Sequence, residues 1–199
     1  MKASLSDLSP TITNMIRTDH THVLAVFRRY KPDASLSKKQ SLVDNACLAL
    51  EVHAQLEEEI FYPALRGAID GDSVLDKSVP EHDEARRLIG VLRSMEPGGT
   101  QYDEIFRDLI RNVLHHVADE ETVLLPKAEE LLRDDLSRLG MEMTKRRMQL
   151  LKPHAGELVA TTARSFPVAS IAAGVGVVAL GLMLYNSASS GREGRSLRH

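Results

Sequence analysis

His53-Ala54-Gln55-Leu56-Glu57-Glu58, closed by Pro63, has a counterpart in His116-Val117-Ala118-Asp119-Glu120-Glu121, closed by Pro126. Both stretches read H-x3-E-E-x4-P, so His, Glu, Glu and Pro recur at identical offsets. In a helix, positions i and i+4 lie on one face, about 6 Å apart along the axis. An imidazole and a carboxylate placed there reach one metal ion or two adjacent ions. One such pair is weak evidence, because His and Glu also decorate solvated faces. Two pairs with matching flanks are hard to assign to chance.

Working outward from these stretches, the chain divides into four helices. Ser9-Pro10 is a helix opening, a capping hydroxyl followed by Pro in the first turn. Ile12, Met15, Ile16, Val23, Val26 and Phe27 then recur at helical spacing until Lys31-Pro32 stops the run. The first H-x3-E-E stretch belongs to a second helix that starts near Ser35 or Ser37 and ends near Arg66-Gly67. A third helix runs from the Gly71-Asp72-Ser73 turn to about Met95, and Pro97-Gly98-Gly99 breaks the chain again. The second stretch lies on a fourth helix over roughly Tyr102 to Arg133. Four helices joined by short turns predict an all-α, up-down-up-down four-helix bundle over residues 1–133.

The other two helices each bring histidine: Asp19-His20-Thr21-His22 on the first, Glu81-His82 on the third. His53 lies 14 residues before Gly67 and His82 lies 11 after Gly71; His82 lies 15 before Pro97 and His116 lies 17 after Gly99. At about 1.5 Å per residue, those mismatches amount to one helical turn or less. The histidines of helices two, three and four therefore fall near one level, the arrangement of a bundle-core metal site. Nitrogen and oxygen donors without thiolate suit iron, with manganese or zinc as lesser options. Zinc alone takes four ligands, whereas six candidates converge here: His20, His53, Glu57, His82, His116 and Glu120. Two carboxylates among several imidazoles suit a pair of ions, because a carboxylate can bridge them.

At these residues the chain resembles the hemerythrin/HHE cation-binding domain family, bacterial hemerythrin-like proteins included. The match covers roughly residues 10–133 and rests on the order His20, His53/Glu57, His82, His116/Glu120. The resemblance implies a non-haem di-iron centre with carboxylate bridges and an open position for dioxygen, peroxide or nitric oxide. It also ranks His20 above His22 as the ligand of the first helix, through the Asp19-His20 placement. Oxygen-carrying members present two histidines four apart on the third helix, whereas here Arg86 follows His82. Those carriers also place an acidic residue five after the last histidine, and here the repeat favours Glu120, four after His116. Both departures point away from reversible carriage and toward the broader class associated with oxygen or redox sensing, iron handling and peroxide or nitric-oxide chemistry.

Other polar residues read differently. His115 turns about 100° from its neighbour and is not expected to be a ligand. Glu58, Glu59 and Glu121 read as solvated, with Glu58 or Tyr62 as candidates for the position vacated at Arg86; Asp19 is a candidate to orient a histidine. Cys47, the single cysteine, sits in an Ala/Leu-rich run and reads as a small buried hydrophobe. No nucleophile elbow, phosphate-cradling glycine loop or thiolate site supports a hydrolase or a transferase, so no catalytic residue is assigned and redox turnover stays an open question. A formal net charge of −3 leaves no basic excess for nucleic acid.

Beyond the bundle the character changes. Residues 134–165 are charged and Met-rich, and the pattern leaves a linker or a short fifth helix equally open. Val168 to Tyr185 holds no charged residue, close to the minimum for a bilayer span. A transmembrane anchor is expected at 166–186, followed by a disordered basic tail at 187–199; a buried oligomerisation helix is the alternative. Ser170/Gly174 and Ala172/Gly176 would let two such helices pack closely as a homodimer. With no N-terminal signal segment visible, the bundle is expected on the cytoplasmic side of the membrane. The functional expectation is a membrane-tethered di-iron protein that senses, scavenges or slowly turns over small oxidants. Iron storage or delivery, or a structural divalent-metal bundle, are the rival readings.

Overall fold

The computed structural model describes residues 10–69, 71–154 and 156. Among the described residues the chain is all-helical: α1 (Ile12–Arg29), α2 (Leu36–Leu56), α3 (Tyr62–Arg66), α4 (Ser73–Ser94), α5 (Thr100–Asp119), α6 (Leu125–Leu131) and α7 (Leu136–Leu151). Two π-helical turns, Glu57–Phe61 and Glu120–Leu124, splice α2 to α3 and α5 to α6 into continuous rods. The result is four rods and a fifth helix.

Local chemistry sets most boundaries. α1 is capped by Thr11, whose hydroxyl accepts from the Asn14 amide; Ser9 of the expected Ser-Pro opening lies outside the described residues. Asp72 caps α4 by accepting from the Val74 and Leu75 amides at 2.8 and 3.2 Å. Gly71 supplies the positive φ of 67° that turns the chain into that cap. The π turns have a common cause in the closing prolines. Pro63 and Pro126 lack an amide hydrogen and crowd the carbonyl four residues back, so the ladder widens to i→i+5 just before each. The Tyr62 and Leu125 amides accordingly donate to the Glu57 and Glu120 carbonyls.

The core is split in two. One apolar cluster runs from Val23 and Leu42 to Leu92 and Phe106. The other gathers Ile12, Ile16, Leu56, Phe61, Leu75, Leu124 and Leu139. On three rods the break between the two clusters falls where a histidine sits, His20, His53 and His82; on the fourth it falls just after His116, between Val117 and Leu124, where Glu120 sits. Fully burying each large aliphatic side chain contributes about 1.5–3 kcal/mol, so two apolar plugs hold one polar layer between them.

The segment whose pattern left a linker open contains an ordered helix. α7 buries Leu136, Leu139, Gly140 and Met143 against α1, α2 and the first π turn. Gly140 lets the backbones touch, since a Cβ there would stand 2.1 Å from the Pro10 carbonyl oxygen. No helix among the described residues is long and apolar enough to cross a membrane. The expected anchor at 166–186, its small-residue dimer contacts and the basic tail at 187–199 lie outside the described residues.

Candidate metal centre

α1 brings His20, α2 His53, α4 His82 and α5 His116, while Glu57 and Glu120 open the two π turns. All six are 5% exposed or less, and both glutamates are fully buried. His22, by contrast, is exposed and pairs with Asn45. His115 is exposed beside Glu81 and Asp119.

The six side chains converge. His53 Nε2 stands 3.2 Å and His82 Nε2 3.4 Å from Glu57 Oε2. His20 Nε2 stands 3.2 Å and His116 Nε2 3.5 Å from Glu120 Oε2. The donors form two groups that share Glu57: His20, His53, Glu57 and Glu120 in one, Glu57, His82 and His116 in the other. Despite this crowding, His20 Nε2, His53 Nε2, Glu57 Oε1 and Glu120 Oε2 are buried without a hydrogen-bond partner. Buried polar atoms are otherwise almost always satisfied. Atoms this close, unaligned with one another and aimed at shared points, fit cations better than they fit each other. The donor set and its division into two groups fit two metal ions.

Behind the inward atoms stands a complete outer layer. His20 Nδ1 donates to Glu121 at 2.9 Å, His53 Nδ1 to Asp19 at 3.4 Å, His82 Nδ1 to Glu58 at 2.8 Å and His116 Nδ1 to Glu81 at 3.0 Å. Ionised carboxylates only accept, so each fixes a proton on Nδ1 of its ring and turns Nε2 inward, the orientation a metal requires. Each outer carboxylate is in turn braced by a base: Glu121 by Arg17, Asp19 by Arg147, Glu58 by Arg86 and Glu81 by His115. Glu58 and Glu121 are therefore outer-layer groups, not the freely solvated side chains their positions suggested. Glu81 was not foreseen, although its place beside His82 was a signal. Glu59 pairs with Arg146 at the surface, and Arg86 points away from the centre.

Tyr62 enters the centre. In an α-helix it would stand about 140° around the axis from Glu57, but the π turn brings it back over that face. Its hydroxyl donates to Glu120 Oε1 at 2.8 Å, and lies 3.3 Å from Glu57 Oε2 and 3.4 Å from His82 Nε2. Burial and the two neighbouring carboxylates push the phenol well above its ordinary range, so it keeps its proton. Burial works to raise the Glu57 carboxyl, yet His53, His116 and His82 hold it well below the usual carboxylate range. Burial likewise disfavours the His116 imidazolium, but Glu120, Glu57 and Glu81 push it up to about 10. Beside the four rings lies an apolar cavity of about 20 Å³, bounded also by Val23, Leu50, Ala54, Ala85, Val113 and Val117.

The hemerythrin HHE cation binding domain model matches residues 11–128. The fold is similar to the crystal structure of a hemerythrin HHE cation binding domain-containing protein from Mycobacterium kansasii. That likeness has a TM-score of 0.63 at 20% identity and covers 78% of this chain and 99% of the other. A curated DNA nickase from Nostoc sp. is 28% identical over 113 residues, 57% of this chain. The matched part spans 32% of that relative's length.

Proposed function

The chain belongs to the hemerythrin HHE cation-binding family, and from that premise we propose that its bundle holds a non-haem di-iron centre that takes dioxygen, peroxide or nitric oxide. The observation that carries this reading is the pair of donor groups sharing Glu57, with four inward atoms left without partners beside an apolar cavity. A space of roughly 10–15 Å³ holds one water. At about 20 Å³ this one suits a two-atom ligand and no organic substrate.

Four imidazoles and two carboxylates, with no thiolate, favour iron over zinc, and manganese remains the nearest competitor. Bound iron would supply electron exchange with the small oxidant. The chain's own residues do the rest. The outer carboxylates fix the imidazole tautomers, Tyr62 holds a proton 2.8 Å from Glu120, and the apolar walls keep bulk water out. Burial of every donor supports a retained cofactor over exchangeable cargo, and two donor groups support a pair of ions over a single structural one. Nicking of DNA forms no part of this reading, because a net charge of −3 supplies no basic excess for a phosphate backbone.

The role we assign is sensing, scavenging or slow redox turnover at the cytoplasmic face of a membrane, with residues 166–186 as the tether. The uncharged run Val168–Tyr185 supports that tether, and recovery of the full chain in the soluble fraction without detergent would remove it from the proposal. The function itself is tested by loading the full chain with ferrous iron without oxygen, then titrating dioxygen, peroxide and nitric oxide in a stopped-flow spectrometer. Near-ultraviolet charge-transfer bands that saturate with at least one of these ligands, and are lost in His53→Ala/His116→Ala, are expected. A loaded protein indifferent to all three would overturn the oxidant reading and leave iron handling.

A further inference from the structure

Three of the four braced carboxylates are held from within the bundle, by Arg17 of α1, Arg86 of α4 and His115 of α5. The fourth is held from outside it. Arg147 belongs to α7, which lies beyond the matched residues 11–128. Its guanidinium meets Asp19 fork to fork, Nη1 to Oδ1 at 2.9 Å and Nη2 to Oδ2 at 2.6 Å. Such bidentate pairs fix orientation as well as supplying attraction, which a lysine cannot do. Asp19 Oδ2 is the same atom that accepts from His53 Nδ1, and His53 Nε2 is one of the unpartnered inward atoms. The Arg147 Nε is itself buried without a partner, so the side chain keeps its two terminal nitrogens on Asp19 while one donor goes unsatisfied.

The docking of α7 aims this arginine. Close packing at Gly140 on the start of α1, burial of Met143 and the Thr144 hydroxyl on Met15 Sδ at 3.3 Å fix the helix against the bundle. Arg147 lies one helical turn after Met143, on the same face. Arg146, next along the chain, instead pairs with Glu59 at the surface and never approaches the centre.

We propose that Arg147 is a positioning residue of the metal centre: through Asp19 it fixes the His53 ring, so that tight metal holding at the His20/His53 group requires α7. This rests on the metal-centre reading above. It makes the fifth helix part of the site, and anything that lifts α7 off the bundle would loosen one side of the centre. Outer-layer partners of metal-bound histidines typically govern about 10–100-fold in metal affinity.

The test uses the full chain loaded with ferrous iron, and reads iron transfer to a competing chelator together with melting of the metal-free form. Arg147→Met is expected to release iron at least about tenfold faster than the parent. Arg146→Met, on the same helix, should stay within about twofold because its pair is at the surface. Adding Arg147→Met to Asp19→Asn should give no further acceleration, the mark of action through Asp19. Arg147→Lys, which keeps the charge and loses the fork, should rescue only partly. Equal release from Arg147→Met and Arg146→Met, or fully additive effects in the double variant, would overturn the inference while leaving the centre intact. A parent chain that takes up no iron overturns the centre itself and this inference with it. Should Arg147→Met fail to fold, Asp19→Asn and Arg147→Lys decide: release unchanged in both overturns the proposal.

Discussion

Two buried polar clusters in this molecule are built on opposite plans. Near the α1–α2 connection, the fully buried Lys39 ammonium lies 2.5 Å from Asp103 and 3.3 Å from the Pro32 carbonyl. The Tyr30 hydroxyl donates to that same carboxylate, and the ammonium sits over the Tyr30 ring at 5.8 Å. Charge and hydrogen bonding close within the chain. In the histidine–glutamate layer, the outer shell is as fully paired as the Lys39 cluster, yet four inward atoms, His20 Nε2, His53 Nε2, Glu57 Oε1 and Glu120 Oε2, meet no aligned partner. One cluster is completed by the chain and pins a connection. The other is completed only by something the chain does not encode. Burial and charge alone do not mark a binding site; several unmatched buried donors converging on one layer do.

That comparison is open to direct attack. The largest effect is expected at Glu57, the carboxylate common to both donor groups. Glu57→Ala should abolish loading of both ions, read as metal per chain after desalting, whereas retention of two ions would show that sharing is not needed. Next, Lys39→Met leaves the part-exposed Asp103 without its ammonium and should cost about 1–3 kcal/mol in denaturant unfolding, with metal content unchanged. Loss of metal in that variant would show the two clusters are not independent.

Acid should separate the clusters by order of failure. Metal needs neutral imidazoles, and the metal-free layer raises His116 to about 10. Protons therefore compete with iron at every pH below that, and iron should leave progressively on acidification, seen as loss of absorbance. Burial works to raise the Asp103 carboxyl, but Lys39 and Tyr30 hold it below its ordinary value. A lowered folded value means its stabilisation is present above the unfolded value of about 3.9 and is lost only as pH falls through the folded one. Helical signal should therefore outlast the metal on acidification, and simultaneous loss would contradict the two-plan account. The smallest effect at neutral pH concerns Cys47, where burial pushes the thiol up to about 12. Its neutral form favours the fold below the unfolded value of about 8.5, and that contribution fades as pH rises toward 12. At pH 8 it should resist a thiol reagent until the chain unfolds; rapid labelling of the folded chain would disprove this.

Much of this was legible in the sequence, and the gaps have physical causes. The repeated H-x3-E-E-x4-P fixes two rods, and turn-to-histidine distances bring the third to their level. The same repeat also held the signal for the π turns, a proline inside each helical run, but periodicity at 3.6 does not reveal a local widening. Tyr62 follows from that widening. The outer carboxylates were harder: Glu58 and Glu121 sit one residue past the inward glutamates, a position that on an isolated helix faces solvent. Only packing against a neighbouring rod carries them to His82 and His20. In α7, Leu136, Leu139, Gly140 and Met143 recur at helical spacing, though the run of basic residues after them obscured it.

The most direct test of the central claim is the iron content of the full chain after loading with ferrous iron and gel filtration, beside His53→Ala/His116→Ala. Roughly two irons per chain in the parent are expected, because two donor groups share one carboxylate. The double variant, lacking one imidazole from each group, should retain almost none. A parent that binds one ion or none, or a variant that loads as well as the parent, would contradict a two-ion centre in this bundle.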